Sequence, residues 1–128
     1  MLSPDMFDEY AKPYIEESFK DAGSAKKVLH ICGDTTVLLE NMMSTGVDGL
    51  SIEEKVSPEK AVEIVNGRAA LVGNIGVVRP LLQGTPEDVF REATRVKNAG
   101  FNLVGPGCGL AARVPKANLE ALIRAVKG

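Results

Sequence analysis

The chain of 128 residues has only two cysteines, Cys32 and Cys108, and no tryptophan. Two cysteines so far apart do not build the disulfide framework of a small secreted domain, and in a reducing compartment they are better explained by metal binding or catalysis. No segment approaches the roughly 20 apolar residues that cross a bilayer, and the acidic, polar residues 1–9 are unlike a signal peptide. We therefore expect a cytoplasmic protein that does not associate with membranes.

The chain also lacks a strong charge of either sign. Its 15 Lys and Arg residues and 17 Asp and Glu residues give a formal net charge of -2 at pH 7. Because the basic residues are scattered, the composition argues against a nucleic-acid surface. A hydrophobic fraction of 45% and a charged fraction of 25% are typical of a globular protein. The length suits a single domain over residues 1–128 with a core of its own.

Strand and helix patterns alternate along the chain after one leading helix. That helix is predicted to begin at Ser3-Pro4-Asp5, to be interrupted at Pro13 and to end near Ala22-Gly23. Four apolar segments predict strands at 28–32, 49–52, 69–73 and 101–104. Amphipathic segments predict helices at 34–45, 57–67 and 85–100 and from Pro115 onward. The chain is thus expected to form four strand-helix units.

Such alternation predicts an α/β fold in which helices cover a parallel sheet and the crossovers are right-handed. A doubly wound sheet and half of an eight-stranded barrel both fit this pattern. The polar residues stand where the predicted strands end: His30, Cys32, Glu53, Asn74 and Cys108. Both architectures bind ligands at this edge of the sheet. A functional site is therefore expected there in either fold.

His30 and Cys32 are one residue apart, so strand alternation directs both side chains to the same face. With Cys108 from the glycine-rich segment 105–109, they offer one imidazole and two thiolates, a set of donors that suits zinc. Three protein ligands leave the fourth position open, as in a catalytic zinc site. The alternative is a core histidine bonded to the backbone and two small buried hydrophobic cysteines. Spacing alone does not decide between these interpretations.

Two more residues are candidates for the same site. Glu53 follows the strand at 49–52, and alternation with Ser51 directs its carboxylate into the site as a fourth ligand or a base. The alternative is a solvated loop carboxylate. Asn74 either orients a substrate through hydrogen bonds or only caps a turn. Segment 105–109 lacks the spacing of a nucleotide-binding loop, so its glycines are expected to give the backbone freedom to bring Cys108 to the site.

At His30-Ile31-Cys32-Gly33-Asp34, Gly73-Asn74 and Gly105-Pro106-Gly107-Cys108-Gly109, the chain resembles the uroporphyrinogen decarboxylase superfamily. The resemblance is to the C-terminal half of its cobalamin-dependent methyltransferase branch, and it extends over essentially the whole chain. It implies an α/β fold in which a helix precedes the parallel (βα)4 half of a TIM-type (βα)8 barrel. Decarboxylase members lack the H-x-C pair and the late cysteine, so the methyltransferase branch fits better.

The resemblance implies a zinc-dependent methylcobalamin:coenzyme M methyltransferase, or the zinc-bearing half of one. His30, Cys32 and Cys108 would hold the zinc, and Glu53 matches an acidic residue that can complete its ligand shell. Coenzyme M would bind as a thiolate and attack the methyl group of a methyl-cob(III)amide carried by a separate corrinoid protein. The alternatives are a non-catalytic half-barrel module for binding or oligomerisation, and a decarboxylase-like enzyme without metal.

Members of the family are longer than this chain. Four strand-helix units on their own expose one inner sheet face and two unpaired sheet edges, which favour association. We therefore expect the chain to form a homo-oligomer or to pair with a complementary N-terminal half-barrel.

Overall fold

A computed structural model describes residues 2–128 and leaves Met1 outside the described part. The leading segment forms two helices, α1 (Pro4–Tyr10) and α2 (Lys12–Phe19), followed by a 3-10 turn at Lys20–Ala22. Four strand-helix units follow: β1 (Val28–His30) with a 3-10 turn at Thr36–Leu38 and α3 (Leu39–Met43), β2 (Gly49–Ile52) with α4 (Pro58–Val65), β3 (Ala70–Ile75) with α5 (Pro86–Ala99), and β4 (Leu103–Pro106) with α6 (Lys116–Lys127). The four predicted units are confirmed.

The four strands form one parallel sheet in the order β1-β2-β3-β4. A doubly wound sheet changes direction at a switch point, so its spatial order departs from the order in the sequence. Strands in sequential order with right-handed crossovers place their helices on one face, as a barrel wall does. Of the two architectures that fit the sequence pattern, the barrel-type arrangement is the one observed.

The hydrophobic core lies between the sheet and the helices. Leu50, Ile52 and Ile75 point from the strands into this layer and are completely buried. The opposite face of the sheet would be the inside of a barrel, and residues 2–128 leave it largely uncovered. There Val28 on β1 is 50% exposed and Leu103 on β4 is 64% exposed. No helix among the described residues has the length and the hydropathy to span a bilayer.

Capping groups explain where the main helices begin. At α5, Thr85 Oγ1 accepts from the Asp88 N–H at 3.2 Å, and the Asp88 carboxylate accepts from the Thr85 N–H at 3.1 Å. This reciprocal pair satisfies two N–H groups that the helix leaves without partners. Ser3 caps α1 by accepting from the Met6 N–H at 3.2 Å. Both starts are predicted by the sequence pattern.

The first strand and its helix are shorter than predicted. β1 ends at His30, so Cys32 lies in a bend. Gly33 has φ +95, and its N–H donates to the Glu53 carboxylate at 2.8 Å instead of extending the strand. The predicted helix at 34–45 begins only at Thr36 and ends at Met43. Its start is delayed because the Asp34 carboxylate accepts from the Thr36 N–H and closes a turn.

The bounds of β3 and β4, at the other edge of the sheet, also differ from the prediction. β3 continues through Asn74 to Ile75, because parallel pairing with β4 persists to Pro106. β4 begins at 103 instead of 101, and just before it the side chain of Asn102, not a backbone carbonyl, accepts the Leu71 N–H at 2.9 Å. Between β3 and α5 lies an irregular helical segment, Val77–Leu82, which the sequence pattern did not predict. The peptide bonds Gly73–Asn74 and Arg79–Pro80 are cis.

Candidate metal centre

Three metal-capable side chains meet at the C-terminal edge of the sheet. His30 ends β1, Cys32 lies in the bend that follows, and Cys108 lies in the loop between β4 and α6. Cys32 Sγ is 3.4 Å from His30 Nε2 and 3.6 Å from Cys108 Sγ. The three ligand atoms lie within 4.8 Å of one another. The structure therefore brings together the three residues that the sequence nominates as metal ligands.

The two cysteines approach each other from opposite edges of the sheet. Flat strands about 4.8 Å apart would leave roughly 14 Å between β1 and β4. Curvature of the sheet and the course of the 105–109 loop close this gap. Gly107 packs so tightly against the end of β2 that a Cβ atom there would lie 3.0 Å from Glu53 Cα. Its N–H donates to the Ile75 carbonyl at 2.8 Å. The absence of a side chain at Gly107 thus lets the loop carry Cys108 towards Cys32.

The hydrogen bonds of His30 leave one ring nitrogen available to a cation. Nδ1 lies 3.0 Å from the Ser51 carbonyl oxygen and 3.1 Å from Ser51 Oγ. Since a carbonyl oxygen can only accept, Nδ1 carries the proton. In the neutral imidazole Nε2 then has a free lone pair, and this nitrogen faces Cys32 Sγ. A backbone carbonyl that orients a histidine in this way is the usual support of a metal-bound imidazole.

The two separations measured from Cys32 Sγ fit tetrahedral zinc. Zinc–sulfur and zinc–nitrogen bonds of ordinary length give about 3.8 Å between two sulfur ligands and about 3.5 Å between sulfur and nitrogen. The observed distances are 3.6 Å between the sulfurs and 3.4 Å between Cys32 Sγ and His30 Nε2. Imidazole and thiolate are also the ligands that zinc prefers. The residues present therefore fit a zinc ion in geometry and in chemistry.

The charges around the thiols favour a cation in the same place. The hydrogen bond to Cys108 raises the pKa of the Cys32 thiol, and desolvation by neighbouring groups and the negative charges of Cys108 and Glu53 raise that pKa further. Two thiols and one carboxylate, each of which can carry a negative charge, thus lie close together. A divalent cation reverses this balance, because it stabilises the thiolates that otherwise repel one another.

Glu53 lies beside the cluster but is not one of its three mutually close members. Burial alone would raise the pKa of its carboxyl group. The Gly33 N–H, the thiol of Cys108, the positive charge of Lys55 and the thiol of Cys32 together outweigh burial and leave that pKa lowered. The carboxylate is anchored by the Gly33 N–H at 2.8 Å. It is therefore held as an anion next to the thiols, and its role as fourth ligand or base stays a prediction.

Asn74 is buried beneath the loop that carries Glu53. Its Nδ2 donates to the Glu53 carbonyl at 2.9 Å and to the Val56 carbonyl at 2.7 Å. These bonds correspond to the turn-holding alternative that the sequence left open. Among residues 2–128, Asn74 Oδ1 has no hydrogen-bond partner. Contact with a substrate stays a prediction, and it would have to use this oxygen.

Sequence reasoning missed the role of Ser51 and a nearby cavity. Ser51 stands opposite His30 in the β1–β2 register, so aligning the two strands could have identified it as the partner of the imidazole.

A cavity of about 420 Å³ lies between the loops after β2 and β3 and the start of α5. None of the three metal-capable residues lines it, and its charged lining residues are Glu54, Arg79, Asp88, Arg91 and Glu92. The metal cluster itself opens onto the uncovered sheet face.

Comparison with known proteins gives matches that extend over the whole chain. A family model described as uroporphyrinogen decarboxylase (URO-D) matches residues 1–128. The chain is 37% identical over 132 residues to the methylcobamide:CoM methyltransferase MtbA of Methanosarcina acetivorans, an alignment that covers 99% of this chain and 38% of that protein. It is 34% identical over 126 residues to the methylcobamide:CoM methyltransferase MtaA of Methanosarcina barkeri, covering 98% of this chain and 37% of that protein.

The fold agrees with that of a solved structure described as a methyltransferase from Methanosarcina mazei. The TM-score is 0.91 at 36% sequence identity, with 99% of this chain and 38% of that chain covered. The chain therefore spans less than two fifths of the length of the relatives that it matches.

Proposed function

Since the chain belongs to the uroporphyrinogen decarboxylase family, we propose that it carries the zinc centre of a methylcobamide:coenzyme M methyltransferase. The observation that carries the proposal is the meeting of His30 Nε2, Cys32 Sγ and Cys108 Sγ within 4.8 Å of one another. The names of relatives at 37% and 34% identity support this choice within the family. The proposed substrates are the thiol of coenzyme M and a methylated corrinoid held by a separate protein.

In this proposal, zinc supplies one kind of chemistry when it is bound: it lowers the pKa of an incoming thiol, which then reacts as a thiolate nucleophile. The chain's own residues prepare that chemistry. The Ser51 carbonyl oxygen accepts a hydrogen bond from the Nδ1–H of His30 and so leaves the lone pair on Nε2 available. The Gly33 N–H holds the carboxylate of Glu53 beside the cluster. That carboxylate can receive the proton of the entering thiol, or serve as the fourth ligand before the thiol arrives.

The domain proposed for residues 1–128 is half of a barrel whose uncovered face is completed by further βα units. Val28 and Leu103 expose apolar surface on that face. Within the described residues, β1 and β4 each have a strand neighbour on one side only. The relatives are long enough to supply such units, because the chain covers only 38% of their length. A second copy or a complementary N-terminal half would bury this surface. A sharply monomeric species by light scattering, unchanged when that half is added, would contradict the pairing.

Metal content tests the proposed centre directly. We expect about one zinc per purified chain by elemental analysis, and its loss in His30→Ala and in Cys108→Ala. The matched control is Leu110→Ala, an exposed residue of the same loop, which should retain the zinc. A wild-type chain without zinc, or ligand variants with as much zinc as the control, would disprove the site.

Methyl transfer separates the enzyme from a non-catalytic module. Methylcobalamin and coenzyme M are incubated with the chain, with and without the remaining part of a related barrel, and demethylation of the corrinoid is followed by absorbance. We expect transfer by the completed barrel and its loss in Cys108→Ala. Bound zinc without any transfer would favour the binding or oligomerisation module. Decarboxylation of uroporphyrinogen by the metal-free protein would favour a decarboxylase-like enzyme.

Glu53→Gln tests the proposed role of the carboxylate. The substitution keeps the shape of the side chain but removes its charge, so zinc affinity should fall by about 10-fold or more. Glu63→Gln is the matched control, because Glu63 pairs with Lys60 on the exposed side of α4, away from the cluster. Equal zinc affinity in both variants would remove Glu53 from the proposed centre.

A further inference from the structure

We propose that Cys32 and Cys108 form an intramolecular disulfide when the centre holds no metal, so that oxidation turns off metal loading. Their sulfur atoms are 3.6 Å apart, and both thiols are free. They are also the only cysteines in the chain. Within one molecule, each thiol therefore has a single partner available.

Only a small movement is needed to form the bond. The sulfurs must approach from 3.6 Å to about 2.05 Å. Cys32 lies in the bend after β1, and Cys108 lies in the loop between β4 and α6, so neither residue is held in a regular element. The loop has room to adjust, since a Cβ atom at Gly109 would have no neighbour within 4 Å.

Both thiols can meet a small oxidant. Cys32 is exposed and Cys108 is half-buried. Exposure to solvent and a nearby second thiol are two of the features that reversible redox cysteines share. The proposed oxidant is a peroxide, which is small enough to reach the two thiols from the open face of the sheet.

The reaction with hydrogen peroxide balances in two steps. One thiol sulfur attacks a peroxide oxygen, the O–O bond breaks, and the sulfur becomes a sulfenic acid as one water leaves. The second thiol sulfur attacks the sulfenic sulfur, so the S–S bond forms, the S–O bond breaks and a second water leaves. The two thiol protons end in the waters. The sulfurs together lose two electrons, which reduce the peroxide.

The disulfide would remove two of the three proposed zinc ligands and leave only His30 of the cluster. It would also connect the segments that follow β1 and β4, the two edges of the sheet. Metal and oxidant thus compete for the same pair of sulfur atoms. This competition rests on the proposed function, whereas the disulfide itself rests only on the positions of the two cysteines.

The experiment uses the wild-type chain, stripped of metal with a chelator and reductant, and then exposed to an equimolar amount of hydrogen peroxide. We expect the titratable thiols to fall from two to none. The intact mass of the monomer should fall by about 2 Da, the mass of two hydrogens. Zinc uptake, read with a metal-sensitive dye, should be lost and should return after treatment with dithiothreitol.

Two controls separate this proposal from the zinc proposal. Cys32→Ser and Cys108→Ser each retain one thiol, so peroxide should increase their mass or give dimers and never cause the 2 Da loss. Wild-type protein loaded with zinc should retain both thiols. If the stripped chain keeps its thiols or forms only intermolecular dimers, the disulfide proposal is wrong even where zinc binds. If the disulfide forms equally with and without added zinc, the zinc centre is wrong and the disulfide stands.

Discussion

The two faces of the sheet differ in what they contribute to the molecule. On the face towards the helices, Leu50, Ile52 and Ile75 are completely buried and form the hydrophobic core. On the other face, Val28 and Leu103 are half or more exposed, and His30 and the two cysteines meet at the C-terminal edge of the sheet. The helical side therefore carries stability, and the open side carries the candidate chemistry.

The difference between the two faces follows from the way in which residues of neighbouring strands are paired. His30 is paired with Ser51, and Ser51 with Val72, so these residues lie in one row on the open face. One position earlier, Leu29, Leu50 and Leu71 form a row on the helical face. Because strand side chains alternate, a shift of one residue in any strand would exchange the two rows. The apolar row thus holds His30 and its partner Ser51 on the open face.

The largest effect is expected from a substitution on the helical face. Leu50→Ala removes a completely buried side chain, so the free energy of unfolding should fall by about 2–5 kcal/mol through lost burial and a residual cavity. Val28→Ala, at a position 50% exposed on the open face, should cost less than about 1 kcal/mol. Urea denaturation measures both. Equal losses would show that the open face is already packed against something in solution.

A smaller effect, on zinc affinity, is expected from a substitution in the 105–109 loop. A Cβ at Gly107 would lie 3.0 Å from Glu53 Cα and 3.2 Å from Glu54 N, whereas one at Gly109 would have no neighbour within 4 Å. Gly107→Ala should therefore displace the loop that carries Cys108 and weaken zinc binding by about 10-fold. Gly109→Ala serves as the control and should bind zinc as the wild type does. If isothermal titration gives the same affinity for both, the close approach of the two loops does not position the ligands.

The smallest effect is expected in the exposed part of the helical layer. The carboxylate of Glu59 accepts two bonds from Arg95, both 2.8 Å long. Arg95 and then Ser57 lower the pKa of Glu59 from 4.5 to about 2. A lowered pKa in the folded state means that this stabilisation is complete above pH 4.5 and is lost as the pH falls towards 2. The contribution is small because solvent screens the pair.

The measurement for this pair is the urea midpoint between pH 6 and pH 2 for the wild type and Glu59→Gln. The midpoint of the wild type should exceed that of the variant at neutral pH, and the difference should shrink through the acid range. A difference that is constant with pH would show that the carboxylate contributes by shape alone. Zinc affinity at neutral pH should be the same in both proteins, because the pair lies on the helical side.

The sequence predicted the order of elements well and their ends less well. Thr85, Pro86 and Asp88 are local signals that act within one turn, so the start of α5 could be predicted. The end of β1 could not, because it depends on an N–H bond from Gly33 to Glu53, 20 residues away along the chain. Just before β4, the side chain of Asn102 likewise accepts the N–H of Leu71, a residue distant along the chain.

In the candidate site, too, some features follow from local sequence, whereas others depend on contacts between distant segments. The alternation of His30 and Cys32 and their likeness to a family motif nominate the ligands from neighbouring residues alone. The role of Ser51 and the two bonds from Asn74 to the loop of Glu53 emerge only when three strands are aligned. The decisive contact, 3.6 Å between sulfurs that are 76 residues apart, requires the curvature of the whole sheet.

Local patterns were thus sufficient for the alternating α/β architecture and for the identities of the metal-capable residues, because helix caps, strand alternation and ligand chemistry act over a few residues. They left open whether the sheet was doubly wound or barrel-like, and whether Cys108 reached His30. Strand order, sheet curvature and the close packing at Gly107 settled these questions. All three depend on backbone hydrogen bonds and packing between segments that are distant in the chain.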